Sequence, residues 1–229
     1  MAIALVASVG AASTTSNNVT TAGANTTGAN LIVLTVAAFN GNAGTLSGPS
    51  DSNTNTWTAL TIRNSVTDGS WVRQYYCVSP SVGSGHTFSI NSTAAYPSIY
   101  MQAFSGLDAS PYDQENGAVG AGSITTLQNG SITPGGADYL FCAGMMTSAQ
   151  LGTITIDSSF TITDQFLLAL GQAEGGAMAY KIASGSGAED PTWTFLGGGF
   201  GGVAASNMAT FKIAAAGANT KRSFGLICG

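Results

Sequence analysis

Residues 70–106, SWVRQYYCVSPSVGSGHTFSINSTAAYPSIYMQAFSG, carry the pattern on which the fold turns. They read as three consecutive short β-strands, roughly 71–78, 86–91 and 97–104. Trp71, Tyr75, Tyr76 and Val78 are aromatic or β-branched, which suits a pleated, half-buried surface. Pro80, Gly83 and Gly85 punctuate the first connection, and Asn91, Ser92 and Thr93 the second. Along the third strand Ile99, Met101 and Ala103 share one face, with Ser98, Tyr100 and Gln102 on the other.

The same three-part pattern returns near the end of the chain. Tyr180 stands before Lys181, Ile182 and Ala183 as Tyr76 stands before Cys77, Val78 and Ser79. The run 192–195, TWTF, echoes 87–90, TFSI, and 209–212, ATFK, echoes 102–105, QAFS. Further upstream, 136–143, GADYLFCA, parallels 28–35, GANLIVLT. The chain is thus expected to be two related β-halves, about 1–110 and 111–216. They form one all-β unit over 1–216, a two-sheet, jelly-roll-like sandwich in which the halves interleave. The segment 217–229 lies outside the repeat.

At 229 residues the chain is long enough to bury a core without staples. Only 7 % of residues are charged, against about 25 % in an ordinary domain. Ser, Thr, Asn and 31 glycines fill the remaining places, while 44 % hydrophobic content and a net charge of −5 argue against disorder. Six Lys and Arg spread along the chain leave no footprint for nucleic acid. No run approaches the roughly 18–20 apolar residues of a membrane helix. The opening apolar run from Met1 to Val9 lacks a basic start and reads as a first strand rather than a signal peptide. Three cysteines, Cys77, Cys142 and Cys228, are odd in number, so at least one has no partner within the chain.

Between these landmarks, Leu31–Phe39 is a continuous apolar run suited to a strand covered on both faces. The segment 56–62 alternates well enough for a strand, and 153–163 for two strands or a hairpin. Residues 107–113 show no periodicity and read as a loop. The stretch 164–174, DQFLLALGQAE, is the one with a helical signature, Asp164 serving as N-cap, although Gly171 and the surrounding β pattern weigh against it.

The chemical inventory is thin. His86 is the sole histidine, and no G-x-S-x-G accompanies it, so a structural His86 is expected. Cys77, Cys142 and Cys228 are far apart with no C-x-x-C, which gives no metal site. Asp51, Asn53 and Asn55 mimic the start of a calcium loop, yet Thr56 and Ile62 stand where that loop needs Gly and Glu, so an Asx-type turn is expected. Asp113 with Glu115, and Glu189 with Asp190, are neighbours in sequence, whereas a glycosidase needs carboxylates facing across a cleft. Neither a catalytic residue nor a cofactor is expected. Trp57, Trp71, Trp193 and the tyrosines are candidates for stacking on sugars, set against core roles in a sandwich. In the tail, Lys221, Arg222, Phe224, Leu226 and Ile227 combine the sole adjacent basic pair with an apolar run, a composition suited to docking on a neighbouring subunit.

The order of segments resembles a β-sandwich module of tailed-phage virion structural proteins that also occurs in bacterial extracellular proteins. The resemblance spans about residues 3 to 213. It rests on GANLIV (28–33), DSNTNTWT (51–58), YYC (75–77), GHTF (85–88), YPSI (96–99), FSG (104–106) with Ser110 and Pro111, AYKI (179–182), PTW (191–193) and ATFK (209–212). It implies a non-enzymatic capsid decoration (cement) or head/tail fibre protein, made in the host cytoplasm and carried in the virion. Its implied partners are the major capsid protein or another virion protein, in a homo-oligomer for which the resemblance suggests a trimer. The alternative is a carbohydrate-binding or adhesion module recognising cell-surface glycans.

Overall fold

The apolar run at 31–39 becomes a central strand because it has a hydrogen-bonded neighbour on each edge and a packed layer over each face. The computed structural model describes residues 2–14, 18–39, 47–65, 69–91, 95–136, 138–148, 153–167, 175–196 and 202–214. The first half holds β1 (Ala4–Ala12), β2 (Asn18–Thr20), β3 (Leu31–Phe39), β4 (Ser50–Asp51), β5 (Thr58–Ala59), β6 (Arg63–Asn64), β7 (Trp71–Val78), β8 (Phe88–Asn91) and β9 (Ala95–Ser105). The second holds β10 (Leu107–Ile124), β11 (Thr126–Gln128), β12 (Asp138–Thr147), β13 (Thr153–Ile156), β14 (Thr161–Leu167), β15 (Gly175–Ser184), β16 (Thr192–Leu196) and β17 (Gly202–Ile213).

The chain is all-β, with antiparallel sheets packed on one another as a sandwich. Two large sheets run β1-β9-β3-β7-β5, with β6 also on β7, and β10-β17-β12-β15-β14; two small ones run β2-β8-β4 and β11-β16-β13. The second half repeats the strand order of the first, as the sequence echoes predict, with β14 on β15 in the place of β5 and β6 on β7. The expected interleaving does not occur: among the described residues each sheet draws its strands from one half only.

Side-chain alternation along β3 shows how the sheets stack. Ile32, Leu34, Val36 and Ala38 face the small sheet, with Trp71, Phe88, Ile90 and Ile99. Leu31 and Val33 face the opposite way, onto Leu140, Cys142, Met178 and Phe211 of the second half. There Phe141, Ala143 and Met145 face their own small sheet with Trp193 and Phe195. Four layers result, small–large–large–small, and the two sandwiches stand back to back. The shared middle layer also carries polar ties. Gln74 Nε2 donates to Thr35 Oγ1 at 3.3 Å and across the halves to the Cys142 carbonyl at 3.2 Å. Gln102 Nε2 donates to Thr163 Oγ1 at 2.8 Å. Such buried hydrogen bonds penalise any sliding of one half over the other.

Strand pairing corrects the upstream parallel by one residue. Leu31 sits opposite Val78 and Phe104, and the residue opposite Ile182 and Phe211 is Leu140, not Tyr139. A strand alternates its faces with period two, so alignment on Tyr139 would turn every apolar side chain of β12 to the wrong layer.

Three local readings change. Residues 107–113 are the start of the long edge strand β10, and Pro111 is tolerated there because the edge and its register shift need no donor. Residues 164–167 belong to strand β14 rather than to a helix; 168–174 lie outside the described residues. Segment 56–62 keeps only β5 as strand. The 153–163 region does form two strands, but in different sheets. Gly106 makes the corner from β9 into β10 at φ +86, and a Cβ there would land on the Ala2 carbonyl oxygen.

Candidate functional site

Strand pairing in the first small sheet draws together three residues distant in sequence. β4 places Asp51 opposite Phe88, and a bridge between Ala24 and His86 closes the next rung. His86 Nε2 then lies 2.9 Å from Asp51 Oδ1, and His86 Nδ1 lies 3.0 Å from Thr26 Oγ1. A carboxylate can only accept, so Nε2 carries the hydrogen in that contact. The order Thr–His–Asp is that of a nucleophile triad. Here Thr26 is 0 % and His86 1 % exposed, and the Thr26 hydroxyl accepts the Gly83 N–H at 3.1 Å. A buried hydroxyl tied to backbone has no path to a substrate carbonyl. His86 is structural, as the sequence predicts.

Asp51 serves as an acceptor hub. Its oxygens take the Asn53 N–H at 2.8 Å, the Asn55 N–H at 3.2 Å, the Asn55 amide at 3.1 Å and the Trp57 indole N–H at 3.0 Å. The D-x-N-x-N segment is therefore an Asx-type turn, with its carboxylate turned inward onto N–H donors instead of outward onto a cation. The other carboxylates also hold strands. Glu115 accepts the Thr61 N–H at 3.0 Å and hydroxyl at 2.8 Å, which ties β10 to the first half. Asp113 accepts the Gly135 N–H at 3.4 Å. Glu189 pairs with Lys181. Neither neighbouring pair, Asp113 with Glu115 or Glu189 with Asp190, is joined by a hydrogen bond among these contacts.

Trp71 and Trp193 are wholly buried, one in each outer core. Their rings have no free face for a sugar, which corrects the stacking expectation for both. Trp57 is half-buried, with its N–H on Asp51 and its ring 6.2 Å from that of Phe88. Lys221, Arg222, Phe224, Leu226, Ile227 and Cys228 lie outside the described residues.

The accessible aromatic feature is a pairing of two tyrosines that the sequence offers as stacking candidates without joining them. Tyr76 and Tyr112 stack with centroids 5.4 Å apart and planes 6° from parallel. They line a cleft of about 300 Å³ with Thr58, Val78, Ser110 and Pro111, where the edge of the first large sheet meets β10. Burial and the nearby Glu115 carboxylate push the Tyr112 hydroxyl above its ordinary pKa. Tyr112 falls in the stretch read as an aperiodic loop, so nothing in its spacing announced a partner for Tyr76. No family model matches the chain, nor does any curated protein or solved structure.

Proposed function

We propose that the chain is a non-enzymatic structural protein of a virus particle, a decoration (cement) or head/tail fibre protein of a tailed phage. It stabilises or ornaments the particle through contacts with the major capsid protein or another virion protein, and works as a homo-oligomer. The observation that carries this reading is the sealed Thr26–His86–Asp51 chain. The residues best suited to catalysis are spent on joining strands, inside four stacked sheets that present a sparsely charged, hydroxyl-rich exterior. Such a build favours broad protein–protein contact over turnover. Immunogold labelling of particles in a lysate of the source culture tests it. Gold over heads or on tails and fibres is the expected result; clean particles with gold on debris would sink the reading.

A second reading, a glycan-binding adhesion module, is favoured by the Tyr76–Tyr112 cleft, where rings and the hydroxyls of Thr58 and Ser110 come together. Glycan-array binding that disappears in Tyr112→Ala, with the melting temperature little changed, would support it. An array with no signal for the parent protein removes it.

A further inference from the structure

A cleft of about 190 Å³ opens where β1, the edge strand of one large sheet, meets β14, the edge strand of the other. Gly10, Ala11, Ala12, Gln165 and Phe166 wall it, with Tyr100 and Asp164. Asp164 is half-buried and takes the Gln165 N–H at 2.9 Å. Among the described residues the ion pairs are His86 with Asp51 and Lys181 with Glu189, so Asp164 has no cation. Tyr100 is 1 % exposed; its ring edge lies against Gly10, while its hydroxyl points away toward Ser98 and Gly176. A half-buried carboxylate without a counter-charge thus lines one small opening. Burial raises the Asp164 pKa, outweighing the N–H groups of Gln165 and Gly10 that lower it.

The Asp164 carboxyl can lie here because position 10 is glycine: a Cβ there would collide with that carboxyl and with the Tyr100 ring. The repeat supplies a contrast. Gly10 pairs with Tyr100 as Gly117 pairs with Asn207 in the second half, and the side chain lying over Gly117 is that of Arg63. The fold therefore sets its own cation over one of these glycines and an unpaired anion over the other.

We propose that this cleft is a binding site for a primary ammonium group, that of a free alkylamine or of a lysine side chain. The ammonium sits against the Asp164 carboxylate, and its alkyl chain lies along Ala11, Ala12 and Phe166. A carboxylate partly shielded from water attracts a cation more strongly than one on the open surface. The site is independent of the virion reading.

Amide chemical shifts of the full chain, titrated with n-butylammonium chloride at constant ionic strength, test it. Saturable shifts at Gly10 and Gln165 are expected in the parent protein, absent with 1-butanol, and lost in both Gly10→Ala and Asp164→Asn. Asp164→Asn keeps the shape of the site, so it decides the matter should the alanine variant be misfolded. Nα-acetyl-lysine methylamide separates the sources: matching shifts assign a lysine side chain, and shifts with butylammonium alone assign a free amine. No saturable shift in the parent, or shifts that persist in Asp164→Asn, overturns the proposal.

Discussion

Phe104 of the first half packs edge-on against Tyr180 of the second, with centroids 5.5 Å apart and planes at 62°. The reciprocal contact is present too: Phe211 meets Tyr76 at 5.6 Å and 67°. Phe104 corresponds to Phe211 and Tyr76 to Tyr180 in the repeat, so each half offers the other the same pair of rings. This is the logic of a two-fold dimer interface, in which residue i meets j and j meets i, built inside a single chain. The two clefts beside it correspond as well. Tyr76, Val78 and Ser110 line one, while Ile182 and Ile3 line the other. Their divergence in chemistry explains why one is aromatic and the other aliphatic.

Equivalent positions should cost equivalent free energy. Phe104→Ala and Phe211→Ala, both emptying fully buried sites, are each expected to destabilise by about 3–5 kcal/mol. Urea unfolding of the two variants checks this. A cost at one site and none at the other would show that the middle layer is not shared equally.

The Asp51 hub should be a weak point. Asp51→Ala leaves the buried His86 N–H without its acceptor and frees the 51–55 turn, and a stranded buried donor of this kind costs about 1–3 kcal/mol. Asp51→Asn should cost less, because an amide oxygen still accepts from backbone N–H groups. Chemical denaturation ranks the two, and equal losses would contradict the acceptor role.

Asp164 should make stability depend on pH with a sign opposite to that of most carboxylates. Burial raises its pKa in the folded state above the ordinary 3.8, outweighing the backbone N–H groups of Gln165 and Gly10. The folded protein therefore holds that proton more tightly than the unfolded chain does. Stability is full below the unfolded value, falls as pH rises through the folded one, and levels off above it. Asp164→Asn should accordingly melt higher than the parent near neutral pH, and at the same temperature in strong acid. Thermal melts across that range provide the check.

Two thiols should be silent in the native protein. Cys142 is fully buried, and burial pushes its pKa well up; burial first and then the Asp51 carboxylate raise that of Cys77. Thiolate is the reactive form, so both are protected twice over. In a Cys228→Ser background, a thiol reagent at mildly alkaline pH should label nothing until denaturant is added, and then both cysteines. Fast native labelling would show that the outer or middle layer opens.

Several features were legible beforehand for identifiable reasons. The apolar run at 31–39 could only be a strand with both faces covered, and it lies at the centre of a large sheet. The Tyr76/Tyr180 and Phe104/Phe211 echoes survive as equivalent positions, because aromatic residues at a fixed place in a strand mark its buried face. The sequence marks Asp51 for a turn and His86 for a buried, hydrogen-bonded position, yet their contact spans 35 residues and no local pattern encodes it. Tyr112 and Asp164 lie in edge strands rather than in the loop and helix their local sequence suggests, because edge strands with bulges lose the alternation that marks a strand.

Alternation, turn residues and repetition in the sequence determined that the chain is antiparallel β-structure in two related halves, since period-two burial and Gly/Pro/Asn turns act over a few residues. Only the tertiary structure decided that the halves stand back to back rather than interleave, that β12 is set one residue along from its apparent match, and that Asp164 and Tyr100 share a cleft. Those outcomes depend on which apolar face covers which and on backbone pairing between distant strands, and these free energies are set by the assembled layers.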